Sequence, residues 1–181
     1  MILIFAIIVG VISLDQLTKW LAVIYLKGEA SFPLWQDVLH FTYAENRGMA
    51  FGMLEDHRWV FMVLSTVGIL AILFYLLRFR PASLWMRISL SMIVGGGIGN
   101  MIDRVILGYV VDFIDFTLID FAIFNVADSF VCVGAGMTIL YLIYDIVREA
   151  RTQKQAEAQP TPTEEDPASD ETPAENRNDE S

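Results

Sequence analysis

Four long apolar runs dominate this sequence and constrain its fold more than any other feature. Crossing roughly 30 Å of hydrocarbon takes about 20 mostly apolar residues in a helix. Residues 1–26 are apolar through Leu14, broken by Asp15, Gln16 and Lys19, and apolar again from Trp20. Residues 59–77 hold no charge. Residues 84–102 carry Arg87 near one end, and residues 121–147 carry Asp128 near their start and Asp145 near their end. With 55% apolar and only 19% charged residues, the composition suits a membrane protein rather than a soluble domain. The first run has no basic start and no small-residue cleavage site. It is expected to persist as a helix rather than to be removed as a signal peptide.

Charge divides the chain. The net charge is −10, and residues 148–181 alone hold ten Asp/Glu against four Lys/Arg. Residues 153–181 add Pro160, Pro162, Pro167 and Pro173 and contain no aromatic, a composition expected of a disordered segment. The expected organisation is a four-span unit over residues 1–150 and an acidic cytoplasmic tail over residues 151–181. Arg78, Arg80 and Arg87 crowd the second connection, and Arg148, Arg151 and Lys154 flank the last span. Lys and Arg gather on the cytoplasmic side of membrane proteins. Both termini are therefore expected in the cytoplasm, with the first and third connections outside.

Several function classes fall away. No basic patch exists to neutralise phosphates, which excludes nucleic acid as a partner. Cys132 is the single cysteine, so there is no disulfide framework, and with only His40 and His57 beside it no zinc-ligand spacing exists. Gly-x-Ser-x-Gly is absent, leaving a serine nucleophile unsupported, and a Ser129–Lys19 pair has no spacing in its favour. Neither a metal nor a cofactor is expected.

Ionisable residues in membrane helices are expensive and ask for a reason. Asp15 and Lys19 lie four apart on one helix face and can pair. The run Gly95-Gly96-Gly97-Ile98-Gly99-Asn100 lacks the strand and third glycine of a nucleotide loop, so Gly95 and Gly99 are read as close helix packing. Asn100, Asp103 and Arg104 follow at the outer end of the third span. Between the third and fourth spans, Asp112 sits among apolar neighbours in Tyr109-Val110-Val111-Asp112-Phe113. Asp128 follows in Phe124-Asn125-Val126-Ala127-Asp128-Ser129. A chain reversal can bring these two carboxylates together. Neighbouring acids in a low-dielectric site do not both ionise easily, so one keeps a proton while the other acts as base. The bland alternative is a solvated acidic loop of Asp112, Asp115 and Asp120, with Asp128 capping a helix. Residues 38–44 alternate apolar and polar, a strand period, and lead through a turn at Glu45-Asn46-Arg47-Gly48 into Met49-Ala50-Phe51-Gly52-Met53. The fold class expected is an α-helical membrane protein with four transmembrane helices and a small outward-facing β-sheet.

The chain resembles the bacterial lipoprotein signal peptidases, also called signal peptidase II. The resemblance rests on five blocks in order. Two are Asp15-Gln16-Leu17-Thr18-Lys19 and Asn46-Arg47-Gly48-Met49-Ala50-Phe51-Gly52. A third runs from Gly95 to Arg104, and Val110-Val111-Asp112-Phe113 and Phe124-Asn125-Val126-Ala127-Asp128-Ser129 complete the set. The resemblance implies a short outer helix within residues 103–120 and an aspartic endopeptidase with Asp112 and Asp128 as its catalytic pair. It implies that Asp15, Lys19, Asn46, Asn100, Arg104 and Asn125 support the site or contact substrate, and it gives Asp103 a structural role. The implied substrate is a prolipoprotein whose cysteine carries diacylglycerol, cut just before that cysteine, and the implied inhibitor is globomycin. A monomer in the bacterial inner membrane, in contact with lipid, is expected, with its active site at the outer face. The rival is a small ion-coupled transport subunit. It fits less well, because transporters show paired repeats with midplane acids, whereas these acids gather at one end of the spans.

Overall fold

In the computed structural model, residues 1–48, 58–119 and 121–157 are described. The segment Met49-Ala50-Phe51-Gly52-Met53, His57, Asp120 and the tail from residue 158 lie outside them. Four helices carry the chain: α1 (Ile2–Tyr25), α2 (Arg58–Arg78), α3 (Leu84–Ile106) and α4 (Val126–Glu157). Helices α1 and α4 are long and apolar enough to cross a membrane, and α2 contains a shorter apolar stretch, Met62–Arg78. Met1–Tyr144 form one compact unit and Asp145–Ser181 a second. Because α4 continues to Glu157, residues 151–157 of the expected tail are helical.

Three strands lie between the helices: β1 (Phe32–Trp35), β2 (Leu39–Asn46) and β3 (Val110–Asp115), antiparallel in the order β1-β2-β3. The sequence pattern located β2 but ended it early. Glu45 and Asn46, expected in a turn, pair with Val111 and Val110, because β3 offers them a ladder to continue on. The expected short outer helix shrinks to one 3-10 turn, Thr117–Ile119, since β3 takes up much of that connection. Helix α4 starts at Val126, not near residue 121. Phe124 is bridged to Ile114, and Asn125 begins the helix as its cap.

Burial is inverted relative to a soluble protein. Asp15, Asp112 and Asn125 rank with Ile4 and Leu76 among the largest fully buried side chains, while Trp20, Phe74 and Leu140 are exposed. Large apolar faces turned outward, with polar residues buried beside apolar clusters such as Ile4, Ile8, Leu76 and Val94, suit a hydrocarbon solvent. In that solvent, helices associate through close packing of small residues rather than through the hydrophobic effect. Here α3 supplies them. A Cβ at Gly96 would collide with the Ala127 carbonyl, and one at Gly99 would stand 2.6 Å from Asp15 Oδ2. Thr138 of α4 donates to Ser89 Oγ of α3 at 2.9 Å, a further tie between these helices. These approaches bring the polar residues of α1, α3 and α4 within hydrogen-bond reach of one another.

Candidate active site

Helix α1 places Asp15 and Lys19 one turn apart and facing α3. Lys19 Nζ lies 2.8 Å from Asp15 Oδ2 and 3.1 Å from Asp103 Oδ2, and it donates to Asn100 Oδ1 at 2.8 Å. An ammonium has three N–H donors, so these three acceptors saturate it. Gln16, which the sequence reading quoted without assigning it a role, donates to Asp103 Oδ1 at 2.9 Å and to the Gly99 carbonyl at 3.2 Å. A glutamine beside Asp15 in an otherwise apolar helix was the available signal.

The second acidic pair forms on the other side of Asn100. In β3, Asp112 stands opposite Ala44, and Asn46 stands opposite Val110. Strand residues two apart share a face, so the diagonal neighbours meet. Asn46 Nδ2 donates to Asp112 Oδ2 at 2.9 Å. Alternation also sends Val111 and Phe113 to the opposite face, where they pack with Ala22 of α1. These apolar contacts hold β3 against α1, while Asp112 on the other face is buried.

Asn125 joins the two halves. Its Nδ2 donates to Asp112 Oδ1 at 2.6 Å and to Asn100 Oδ1 at 3.0 Å. Its Oδ1 accepts from the Asp128 N–H at 2.9 Å, while Asp128 Oδ2 accepts from the Asn125 N–H at 3.2 Å. That reciprocal arrangement is a capping box at the start of α4. Asn100 Nδ2 completes it by donating to Asp128 Oδ1 at 2.7 Å. Asp112 and Asp128 therefore each accept from two N–H donors, all of them amides. No cation lies within salt-bridge distance of either among the described residues. Arg104, one turn beyond Asn100, donates to the Asn100 carbonyl at 3.3 Å and interacts electrostatically with Asp128 and Asp112. Among the described residues, no carboxylate lies within salt-bridge distance of its guanidinium.

Burial pushes the Asp112 carboxyl up to about 6, opposed by the Asn46 hydrogen bond and reinforced by the nearby Asp128 charge. Such a group holds a proton across the mildly acidic range, while its neighbour, within the same network, competes for it. The solvated acidic loop does not form: Asp112 is buried, and Asp115 lies on β3 accepting from Thr42 Oγ1 at 2.8 Å. The other half of that alternative is true, since Asp128 caps α4. All eight residues singled out in the sequence — Asp15, Lys19, Asn46, Asn100, Arg104, Asp112, Asn125 and Asp128 — fall in one continuous network. Among the described residues, no group of three or more His, Cys, Asp or Glu is placed to hold a metal.

The family model for "Signal peptidase (SPase) II" matches residues 7–144. The lipoprotein signal peptidase of Brevibacillus brevis is 44% identical over 135 residues, covering 75% of this chain and 91% of that protein. That of Caldanaerobacter subterraneus is 49% identical over 129 residues, covering 71% and 88%. A solved bacterial membrane enzyme, determined by the in meso method at 2.3 Å resolution, superposes with a TM-score of 0.73 at 33% identity. It covers 79% of this chain and 88% of its own.

Proposed function

The chain belongs to the signal peptidase II family, and from that premise we propose that Asp112 and Asp128 are the catalytic pair of a membrane aspartic endopeptidase. Its substrate is a prolipoprotein already carrying diacylglycerol on a cysteine, and the bond cut is the one just before that cysteine. The observation carrying this reading is Asn125. Through its side-chain amide and its backbone N–H it holds one carboxylate oxygen of each aspartate, so two acids from different elements flank a single residue.

Hydrolysis of an amide needs a base and an acid. One carboxylate takes a proton from water as its oxygen bonds to the scissile carbonyl carbon. The other gives a proton to the leaving nitrogen as the C–N bond breaks. The pair shares one proton, and its titration belongs to the pair rather than to either residue. Arg104, whose guanidinium has donors to spare, is suited to hold a substrate carbonyl. Asn46, Asn100 and Asn125 aim the carboxylate oxygens, and Asp15 and Lys19 support them from α1.

In this reading all four helices cross the membrane, with both termini in the cytoplasm and the sheet and aspartate pair at the outer face. The lipid of the substrate then stays in the bilayer beside the exposed apolar helix faces while its peptide reaches the polar cluster. Residues 1–150 form the peptidase unit, acting as a monomer, and residues 151–181 a cytoplasmic appendage. The test is a gel-shift assay of the purified protein on a diacylated prolipoprotein. Asp112→Asn and Asp128→Asn are each expected to abolish the shift with folding intact. Near wild-type turnover by either variant overturns the assignment.

A further inference from the structure

The network contains a repeat that the two-aspartate chemistry does not require. Asp15 Oδ1 accepts the backbone N–H of Ala127 at 2.9 Å, and Asp103 Oδ2 accepts the backbone N–H of Val111 at 3.1 Å. Ala127 immediately precedes Asp128, and Val111 immediately precedes Asp112. The two carboxylates that grip these N–H groups are the two that grip Lys19, at 2.8 and 3.1 Å. One ammonium therefore ties together the chain positions before both members of the pair.

Each tie meets a local need of the backbone. The first N–H groups of a helix have no partner inside it. In α4 the Asn125 side chain takes the Asp128 N–H, which leaves that of Ala127 to an outside acceptor, and Asp15 of α1 is that acceptor. Lys19 also fixes the Asn100 amide. Because a lysine only donates, Asn100 must turn its oxygen toward Lys19 and its NH₂ toward Asp128.

We propose that Lys19, closed between Asp15 and Asp103, is a positioning residue that sets the spacing and aim of the Asp112/Asp128 pair. It acts through the N–H groups of Val111 and Ala127 and through the Asn100 amide. The inference rests on the catalytic reading of that pair. Lys19 itself, with all three donors engaged and 3% of its surface exposed, takes no part in proton transfer.

The experiment compares the purified full chain with Lys19→Met, Asp103→Leu and Asp103→Asn on a diacylated precursor. It measures kcat, KM, the pH profile of kcat/KM and thermal unfolding. Misplacing reacting groups by about 1 Å costs on the order of a hundredfold, so Lys19→Met and Asp103→Leu are each expected to lose about a hundredfold in kcat with KM little changed. Asp103→Asn keeps an oxygen for the Val111 N–H and recovers part of that loss. A charge effect alone would move the pH transition in opposite directions, up without Lys19 and down without Asp103, and would leave no shared loss of kcat. That result overturns the proposal, as does a wild-type kcat in a folded variant or an Asp103→Asn no better than Asp103→Leu. If the two harsher variants do not fold, Asp103→Asn and Asp15→Asn decide it: unchanged kcat and pH profile in both refute positioning, and a kcat loss at constant KM supports it. Asp112→Asn run alongside separates the readings, because an active Asp112→Asn sinks the catalytic pair whatever the triad variants do.

Discussion

Four aspartates share one hydrogen-bond network, and they divide into two pairs with opposite surroundings. Asp15 and Asp103 close around the Lys19 ammonium and also accept backbone or glutamine N–H groups. Among the described residues, Asp112 and Asp128 accept only from amides, and no ammonium or guanidinium reaches salt-bridge distance of them. Carboxylates that grip an ammonium and N–H groups at once are suited to serve as fixed anchors. A buried carboxylate hydrogen-bonded only to neutral donors, with another acid nearby, is suited to exchange a proton. In the proposed reading, identical side chains become scaffold or chemistry according to whether a cation lies against them.

The largest expected effect tests that division directly. Removing a general acid or base costs about 10²–10⁴-fold, so Asp112→Asn or Asp128→Asn is expected to lose at least about a hundredfold in turnover. Stability measures the contrast from the other side. Taking one partner from a buried ion pair costs about 3–5 kcal/mol, so Lys19→Met is expected to lower unfolding stability in detergent by about that much. Asp112→Asn is expected to lose none. An acid raised from 3.8 to about 6 contributes its full stability below pH 3.8 and loses it as pH rises through about 6. At about pH 8 the asparagine variant is therefore at least as stable as the parent. Equal destabilisation by both substitutions would erase the distinction between the pairs.

Smaller effects sharpen it. The descending limb of kcat/KM against pH is expected near 6, the value to which burial raises Asp112, where the pair gives up its shared proton. Asn46 donates to the charged form of that carboxylate, so Asn46→Ala moves the limb upward; a downward shift would show that another group controls it. Least of all, truncation after Lys154 is expected to leave the initial cleavage rate within about threefold, because the tail's acids are expected on the opposite side of a barrier roughly 30 Å thick. A drop beyond about tenfold, with unfolding unchanged, would mean that a tail acid takes part in one of the pairs.

Much of this was legible in the sequence, for identifiable reasons. The apolar runs announced the helices because a hydrocarbon solvent demands about 20 apolar residues in succession. Asp15 and Lys19 showed their pairing because four positions span one helical turn. Period-two alternation exposed β2. Strand β3 went unread, because Val110–Asp115 mixes apolar and acidic residues without a clean period, and its pairing depends on an edge some 65 residues earlier in the chain. The start of α4 was placed too early for a related reason. Phe121 through Phe124 look helical until the bridge to Ile114 claims them.

The sequence by itself determined the membrane class and the order of the polar blocks, since a polar residue in an apolar run is costly and stands out, and its resemblance to a family pointed to the eight residues of the proposed site. Only the tertiary structure decided which acid keeps which company. Whether an aspartate anchors or reacts depends on the cation and N–H groups within about 3 Å of it, and most of those are supplied by other helices and by the strand register. Spacing along the chain cannot state that distance. Close packing along the α3 glycines and the β2–β3 ladder set it, leaving Lys19 between Asp15 and Asp103 and, among the described residues, no cation within salt-bridge distance of Asp112 or Asp128.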